Sequence, residues 1–523
     1  MGGRIFRSRM SRTEVNTRSD TEEDDESSWF YSTIEEEEEN NNGDDDNEHY
    51  VTGSVQNMLR YLLRYRLMSS GAGEQWDCSE EDKTGQIQSI SKMDTGCDLY
   101  RQVQLDTGQR SLSSNHAPNN IMQQLQQRQY GSYSKEAECA KYSYYSLPQY
   151  CHHVDHYGYR LFCGIHSLDG SLFACASQDQ NIHLFDTASE KYRLVKTLLA
   201  PEVGWSVLDL CFSPDQCYLI YSTWSTEVLI CNLHDNSQED GHFVPLDLRP
   251  DCEGNFGVFA VKFSCDGRDV LAASNDGCLY IYNRERNELG LRIMAHEDDI
   301  NSTCYSGEAS QLIYSAGDDG QCKVWDPRTV RNCRATPVGI FAGHKDGISH
   351  VESKGDDRYL ITNSKDQTIK LWDLRMFSGC SGIERTRKSV SRQYWDYRWQ
   401  DAPQKFRKCD KLAGDASVMT YKGHRVLQTA IRCRFSPTVT TGNRYIYTGS
   451  AGGSVTVYDI LTGEIVKRLK EPGSQVLVRD ASWHPYRPEL VSVSWDGIMR
   501  LWDTNQQDVL CSGDSCRSHD NEL

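Results

Sequence analysis

One sequence pattern recurs seven times between about residues 157 and 505 of this 523-residue chain. Each unit has an apolar strand, a tight turn, a second strand, a turn that usually contains Asp, and a third strand with a characteristic ending. The endings are Phe185-Asp186, Cys231-Asn232, Tyr282-Asn283, Trp325-Asp326, Trp372-Asp373, Tyr458-Asp459 and Trp502-Asp503. Five of their six spacings lie between 43 and 51 residues, and one is 86. Such a period predicts similar units packed side by side, since one unit alone cannot bury its apolar face.

The period and the endings resemble the WD-repeat family, whose units are roughly 40 to 45 residues long. In that family each unit forms a four-stranded blade, and the blades stand around a central channel. The resemblance is closest in unit five, where Gly343-His344 precedes a strand at 359–362 and the phrase at 364–373. It implies an all-β fold, a seven-bladed WD-repeat β-propeller over 141–506.

The same resemblance assigns buried roles to several polar residues. In WD-repeat blades, a His, the turn Asp and the third-strand Trp share a hydrogen-bonded network, because a buried carboxylate without a partner is costly. The assigned residues are His344, Asp366 and Trp372 in unit five, and His296, Asp319 and Trp325 in unit four. We expect structural rather than catalytic roles for all six.

The remaining units fill the turn position unevenly. Asp179, Asp276 and Asp496 occupy it in units one, three and seven, whereas Ser225 and Gly452 replace it in units two and six. We therefore expect packing to be the main stabilising contribution in blades two and six.

Ring closure requires a strand from the other end of the repeat region, because an open sheet edge invites aggregation. Residues 141–147 are rich in Tyr and favour a strand at a suitable place in the chain. They are the predicted closing strand.

The long spacing between units five and six contains a segment rich in Arg and Lys, at about 377–420. Trp395-Asp396-Tyr397-Arg398 within it looks like a unit ending, but no alternating strand or turn Asp precedes it. We interpret it as a surface insertion with aromatic anchors. Packing on the propeller and contact with a partner are both open.

Several classes of protein are excluded by the composition. No stretch approaches the roughly 18 consecutive apolar residues of a membrane span. The N-terminus has no apolar signal-peptide core, and Phe6 stands where N-myristoylation requires Ser or Thr. The 20 cysteines form no C-x-x-C pair, and Cys511 and Cys516 are an isolated C-x4-C. We expect buried thiols in a reducing compartment, with no metal and no cofactor.

The net charge of −19 is concentrated near the N-terminus. Residues 20–48 carry 15 carboxylates and no Lys or Arg. We expect a disordered acidic tail over 1–50, an extension with amphipathic helices over 51–140 and a flexible tail over 507–523. The acidic tail either increases solubility or binds a basic partner. So acidic a chain is not expected to bind nucleic acid directly.

Two unit endings continue into an Arg, in Trp325-Asp326-Pro327-Arg328 and Trp372-Asp373-Leu374-Arg375. The Arg lies beyond the third strand, where its rigid set of five donors can reach a partner. Two such endings on successive blades resemble the motif of propellers that bind the damaged-DNA-binding adaptor of cullin-RING ubiquitin ligases. The alternative is a pair of solvated arginines.

Two segments before the propeller have the pattern of amphipathic helices. Residues 121–131 end at a helix-stopping Gly and are similar to the adaptor-binding helix of such receptors, although Gln129 replaces an expected acidic residue. The side chains of interest there are Ile121, Met122, Leu125 and Arg128. Residues 55–67 carry an apolar stripe with Arg on other faces, which suits packing on protein more than on a membrane. The first segment either binds the adaptor or lies under the propeller.

Whole phrases at 203–209, 274–280, 363–373 and 395–399 resemble WD-repeat substrate receptors of cullin-4 RING ubiquitin ligases. The resemblance covers about 145–505 and implies a non-catalytic subunit of nucleus and cytoplasm. Such a subunit presents a protein, in this family a stress-responsive basic-leucine-zipper transcription factor, for ubiquitylation and proteasomal degradation. The adaptor-binding residues that it implies are Asp326, Arg328, Asp373, Arg375, Ile121, Met122, Leu125 and Arg128.

The substrate is expected on the opposite face, at the residue before each turn position. These residues are Gln178, Trp224, Asn275, Asp318, Lys365 and Trp495. Trp224 and Trp495 are the strongest candidates because Trp is enriched among binding hot spots, although either could instead pack on a neighbouring blade. A scaffold without ligase function is one alternative. An enzyme is another, but the chain has no H-E-x-x-H, G-x-S-x-G or G-x-x-x-x-G-K-[ST] motif.

Overall fold

Seven four-stranded antiparallel sheets follow one another along the chain. The computed structural model describes residues 93, 97–106, 147–188, 191–234, 242–248, 256–307, 309–330, 335–407 and 410–504. The strands are β1 (Tyr150–His156), β2 (Leu161–His166), β3 (Leu172–Ser177), β4 (Asn181–Asp186), β5 (Arg193–Leu199), β6 (Asp209–Phe212), β7 (Tyr218–Ser222), β8 (Glu227–Asn232), β9 (Phe243–Asp247), β10 (Val258–Phe263), β11 (Asp269–Ser274), β12 (Cys278–Asn283), β13 (Glu288–Met294), β14 (Ile300–Tyr305), β15 (Ile313–Gly317), β16 (Gln321–Trp325), β17 (Gly339–Ala342), β18 (Ile348–Ser353), β19 (Tyr359–Ser364), β20 (Thr368–Asp373), β21 (Met419–Lys422), β22 (Cys433–Phe435), β23 (Tyr445–Gly449), β24 (Ser454–Asp459), β25 (Ile465–Lys470), β26 (Val478–Trp483), β27 (Leu490–Ser494) and β28 (Ile498–Asp503). The helices are α1 (Asp98–Asp106), α2 (Cys380–Val390), α3 (Gln404–Arg407) and α4 (Thr438–Thr441).

The sheets are the blades of a ring. Blades one to six are consecutive sets of four strands from β2 to β25, and blade seven contains β26, β27, β28 and β1. The first strand of each blade contacts the first strand of the next, and β26 of blade seven contacts β2 of blade one. The predicted seven-bladed propeller is therefore confirmed, and its third strands end at the predicted repeat endings.

Apolar side chains fill the spaces between neighbouring blades. One buried cluster joins β3 and β4 of blade one to β6 and β7 of blade two, and another joins blade seven to blade one. The second strands are buried along most of their length, as in β19, because both of their faces pack against a neighbouring sheet. Blade packing therefore runs around the whole ring.

The closing strand differs from the predicted one. The structure closes the ring with β1, which pairs with β28 from Tyr150 opposite Asp503 to His156 opposite Ile498. The prediction of 141–147 is wrong, and residues 141–146 lie outside the described ones. An outer strand has one solvated face, and β1 is partly exposed and rich in His, so its sequence lacks the apolar pattern of an inner strand.

Antiparallel pairing gives the ring two rims. The turns between second and third strands and the links between blades lie at one rim, here called the upper rim. The turns between first and second strands and between third and fourth strands lie at the other, the lower rim. The upper-rim candidates, such as Lys365, and the W-D-x-R endings, such as 372–375, are therefore at opposite rims.

The insertion lies between β20 and β21 and packs on the propeller. Its first part follows the outer strand of blade four, where Ser378 N donates to Ile340 O at 2.9 Å. Trp395 Nε1 then donates to Asp346 Oδ2 at 2.7 Å in the link before blade five, at the upper rim. The insertion thus reaches from the lower to the upper rim.

Glycine makes the close approach of α2 feasible. Gly320 has a φ of +72°, and a Cβ added there would lie 2.6 Å from Cγ2 of Val390. A larger residue at position 320 would collide with the end of α2 and strain the backbone.

Candidate protein-binding rims

The two predicted buried networks are present, and each has a fourth member. His344 Nδ1 lies 3.1 Å from Asp366 Oδ2, and its Nε2 lies 2.7 Å from Thr362 Oγ1. Trp372 Nε1 donates to the same hydroxyl at 2.8 Å. Thr362 on β19 thus joins the second and third strands to the link before the blade.

Blade four repeats this arrangement with a serine. His296 contacts Asp319 Oδ2 at 2.9 Å and Ser315 Oγ at 2.7 Å, and Trp325 Nε1 donates to Ser315 Oγ at 2.9 Å. The hydroxyl residues of the two networks, Thr362 and Ser315, were not predicted. Each stands ten residues before its Trp, a spacing that is readable in the sequence.

The electrostatics of these networks suit a structural role. Burial alone would raise the pKa of Asp366, but His344 and hydrogen bonds from Lys345 N and Thr368 hold it well below its usual range. The pKa of Asp319 is lowered in the same way by His296 against the effect of burial. Both ring nitrogens of His344 are engaged, and the residue is fully buried. A substrate therefore cannot reach this imidazole.

Blade six, where packing was expected to dominate, contains buried polar contacts as well. Arg444 Nη2 donates to Asp459 Oδ2 at 2.6 Å inside the blade, with both side chains buried. His424 Nδ1 also lies 3.0 Å from Tyr458 OH, and its Nε2 lies 2.9 Å from Asn363 Oδ1 of blade five. In blade six, the His of the link before the blade contacts the third-strand Tyr, and an ion pair joins the start of the second strand to the end of the third.

An ion network crosses the centre of the ring. Arg432, next to β22 of blade six, lies 2.7 Å from Asp209 of blade two and 3.1 Å from Asp480 of blade seven. Blades two and six are not neighbours, so the first pair spans the channel. Burial would raise the pKa of Asp209, but Arg432 and Lys262 hold it below its usual range. The repeat pattern did not reveal this network, because its members lie on or beside first strands, outside the motif positions.

At the lower rim of blade four, the motif arginine is fixed by its own aspartate. Arg328 Nε donates to Asp326 Oδ1 at 2.9 Å and Nη2 to Oδ2 at 2.8 Å. The hydrogen bonds from Arg328 lower the pKa of Asp326. The Arg328 side chain is 63% exposed, so its guanidinium is oriented yet accessible.

Arg375 of blade five has the same internal contact and a second one. Its Nη2 donates to Asp373 Oδ2 at 2.9 Å, and its Nη1 donates to Asp98 Oδ2 of α1 at 3.2 Å. Asp98 also accepts from Arg358 Nη2 at 3.0 Å. The Arg375 side chain is 59% exposed. Part of its hydrogen-bonding capacity is used to hold α1 at the rim.

Helix α1 was not predicted from the sequence. Leu99 and Val103, one helical turn apart, are fully buried in a cluster formed by blades five and six, which includes Tyr359 and Tyr458. The predicted helices at 55–67 and 121–131, with Ile121, Met122, Leu125 and Arg128, lie outside the described residues. A short helix with two apolar contacts gives a weak periodic signal, which explains why α1 was missed.

The internal geometry of the W-D-x-R motif is local. In the insertion, Arg398 donates through Nε to Asp396 Oδ1 at 2.9 Å and through Nη2 to Oδ2 at 2.6 Å. That motif follows a helix and not a third strand. As predicted, it is therefore not the ending of a blade. Only Arg328 and Arg375 carry the motif to the lower rim.

At the upper rim, the insertion covers part of blades four and five. Lys365 Nζ donates to Asp318 Oδ1 at 2.7 Å and lies 4.5 Å from the centroid of the Tyr397 ring. Burial would lower the pKa of Lys365, but Asp318 and Tyr397 raise it above its usual range. These two predicted substrate-facing residues are thus paired with each other and with the insertion.

The other four upper-rim candidates differ in accessibility. Asn275 Oδ1 accepts from Gly257 N at 3.0 Å, and Trp495 packs 5.7 Å from the Phe162 ring with Arg160 above it. Trp224 is 38% exposed and contacts Phe259 edge-on. Gln178 is partly exposed. Trp224 therefore presents the most accessible large apolar surface of the six.

One group of potential metal ligands occurs among the described residues, outside the motif positions. Cys151, His153 and Glu471 have ligand atoms within 4.8 Å of one another. Arg500 Nε donates to Glu471 Oε2 at 2.7 Å, and burial raises the pKa of the Cys151 thiol to about 12. Because metals bind the thiolate, and a guanidinium already occupies the carboxylate, this group is poorly suited to hold a cation.

Among the described helices, none is long and apolar enough to cross a membrane.

The fold and the paired rim motifs define a WD-repeat β-propeller. The family model of the WD domain, G-beta repeat, matches residues 249–283, 288–326, 335–373 and 463–503, which lie mainly in blades three, four, five and seven. The chain is 40% identical over 426 residues to a Caenorhabditis elegans protein named DDB1- and CUL4-associated factor 11 homolog, covering 80% of this chain and 74% of that protein. A Caenorhabditis briggsae protein of the same name is 38% identical, covering 76% and 73%. The LEC14B protein of Lithospermum erythrorhizon is 42% identical, covering 68% and 75%. The chain belongs to the family of DDB1- and CUL4-associated factor 11 homologues.

Proposed function

We propose that this chain is a substrate receptor of a cullin-4 RING ubiquitin ligase. In this proposal the lower rim binds the adaptor DDB1, and the upper rim presents a protein for ubiquitylation and proteasomal degradation. The names of its relatives associate those proteins with DDB1 and CUL4. The observation that carries the proposal is the pair of oriented, exposed arginines, Arg328 and Arg375, on successive blades of one rim.

The chemistry of the pair supports a protein partner. Each guanidinium is held by a carboxylate of its own turn, which reduces the side-chain entropy lost when a partner binds. The remaining donors can reach backbone carbonyls or carboxylates of an adaptor. Ubiquitin transfer itself is assigned to the ligase partners, in keeping with the inaccessible histidines of the two networks.

The proposal is tested by affinity purification of the tagged full chain from cells, followed by mass spectrometry. DDB1 and cullin-4 should copurify with the wild type and be lost from the double variant Arg328→Ala/Arg375→Ala. A reconstituted ligase containing the wild type should ubiquitylate a copurified protein. A wild-type chain that recovers other proteins but neither DDB1 nor cullin-4 would instead indicate a scaffold.

The substrate class and location are further parts of the proposal. The family resemblance favours a stress-responsive basic-leucine-zipper transcription factor as substrate, with the receptor in the nucleus and cytoplasm. Depletion of the chain should prolong the half-life of such a factor, and fluorescence imaging should find the tagged chain in both compartments. An unchanged half-life would remove this class from the proposal.

A further inference from the structure

Helix α2 of the insertion has one face on the propeller and one in solvent. Gly382 and Thr386 are buried, and Ser389 Oγ donates to Lys345 O at 3.1 Å at the upper rim. Arg385, Lys388 and Arg392 are exposed. Their spacings of three and four residues place them along one side of the helix and its C-terminal turn. We call these three residues the α2 basic face.

The cations of this face differ from others in the insertion. Arg387 is paired with Glu297 of the propeller, and Arg398 with Asp396. Within the described part of the chain, no ion pair links Arg385, Lys388 or Arg392 to a carboxylate. Tyr394, two residues after Arg392, is 93% exposed. The surface therefore combines unpaired positive charge with an exposed aromatic ring.

The position of the face bears on what it could bind. The insertion already covers Lys365 and Asp318, so over blades four and five it, and not the bare propeller, forms part of the accessible upper surface. Under the proposed function this rim presents the substrate. The α2 basic face is thus a positively charged part of that surface.

We propose that the α2 basic face, together with Tyr394, binds an acidic segment of the substrate protein. That the bound protein is a ubiquitylation substrate rests on the proposed function, whereas the preference for an acidic segment rests on the geometry alone. Guanidinium groups bind carboxylates in a bidentate manner, and a tyrosine can pack on an apolar residue within the segment. A long polyanion such as RNA is disfavoured because nucleic-acid affinity depends on neutralising many phosphates, and this face offers only three cations.

The test uses fluorescence anisotropy with the purified full chain and two labelled peptides. One contains Asp and Glu interspersed with Leu, and the other replaces each acid by its amide. We compare the wild type with Arg385→Gln/Lys388→Gln/Arg392→Gln. The control, Arg193→Gln/Arg268→Gln/Arg286→Gln, removes three exposed positive charges outside the insertion.

The wild type and the control should bind the acidic peptide more tightly than the amide peptide, with affinity falling as salt rises. The α2 variant should lose about tenfold in affinity, as expected for three exposed ion pairs. Absence of acidic-peptide binding to the wild type, equal binding by the α2 variant, or preferential binding of a single-stranded RNA at this face would overturn the inference.

DDB1 capture is measured on the same proteins and separates the two proposals. The α2 variant should retain DDB1, because Arg328 and Arg375 lie at the lower rim, whereas the C-terminal end of α2 contacts the upper rim. A wild type that binds DDB1 but does not discriminate between the two peptides overturns this inference alone. Absence of DDB1 from the wild type, with the peptide preference retained, overturns the proposed function and leaves an acidic-peptide surface without a ligase.

Discussion

Asp98 of α1 and Arg375 of the blade-five motif are joined by a 3.2 Å contact between Oδ2 and Nη1. The contact brings a helix from before the propeller to the rim that carries the W-D-x-R pair. The buried Leu99 and Val103 anchor that helix between blades five and six. The lower rim is therefore built jointly by the repeats and by a segment far from them in sequence.

Removing the apolar anchor of α1 should release the helix. We expect Leu99→Ala to weaken docking by about 2 to 4 kcal/mol, because it leaves a cavity beneath α1. Hydrogen exchange of 97–106 should accelerate while the blades remain protected. Asp98→Asn is the control. It should weaken the docking of α1 by about 1 kcal/mol or less, since exposed ion pairs contribute little. Unchanged exchange in Leu99→Ala would contradict the docking role.

The blade-five network should contribute measurably to stability. Asp366→Asn removes the charge that faces His344 and disturbs a buried set of hydrogen bonds, so we expect a loss of about 2 to 4 kcal/mol in unfolding free energy. Denaturant unfolding followed by Trp fluorescence measures it. The exposed Asp401→Asn provides a matched change and should stay within about 0.5 kcal/mol. Equal stability of the two variants would count against a structural role for the network.

The ion pair across the channel predicts strong coupling between blades two and six. Asp209→Asn leaves Arg432 with less compensation in a buried site, and the expected cost is about 3 to 5 kcal/mol. Asp209→Leu combined with Arg432→Met should cost less than the sum of the two single changes. A double-mutant cycle in urea measures the coupling. Additive effects would show that the two residues act independently.

Glu352 should make stability depend on pH near neutrality. Burial raises its pKa to about 7, although Arg434 acts in the opposite direction. Below the pKa of Glu352 in the unfolded chain, the carboxyl group is protonated in both the folded and the unfolded state. Above about pH 7 it is ionised in both, and the folded state then bears the full free-energy cost of burying a carboxylate. Stability contributed by the protonated group is thus lost as pH rises from about 4.5 to 7.

The Tm of Glu352→Gln should therefore rise relative to that of the wild type as pH increases from 5 to 8. The corresponding change in relative unfolding free energy is at most roughly 3 kcal/mol. Thermal melts of both proteins across this range provide the comparison. A difference in Tm that is constant with pH would contradict the raised pKa.

The repeat was predictable because its signals are local. Aromatic-Asp endings, turn Asp residues and the His of units four and five lie at fixed distances along the chain, and each was found at the expected place in its blade. The closing strand β1 and the anchor helix α1 were not predicted from the sequence, since both pack with one face on distant parts of the ring. Nothing in their own sequences identifies that partner.

The rim sites were predictable only in part. The sequence placed Arg328 and Arg375 at one rim, but it could not show that Asp98 shares Arg375. It named Lys365 and Asp318 as substrate-facing, but their pairing under Tyr397 depends on the path of the insertion. The cross-channel contact of Asp209 with Arg432 likewise depends on ring closure, which brings together residues more than 200 positions apart.

Titration calorimetry of purified DDB1 with the full chain measures the proposed adaptor contact itself. We predict that Arg328→Ala/Arg375→Ala weakens the complex by about 100-fold or more, as expected for two interface hot spots. Arg286→Ala is the control, because Arg286 is 77% exposed in the third-to-fourth-strand turn of blade three, where Glu285 replaces the motif Arg. This control should bind within twofold of the wild type. Wild-type affinity in the double variant would contradict the assignment of DDB1 binding to these two arginines.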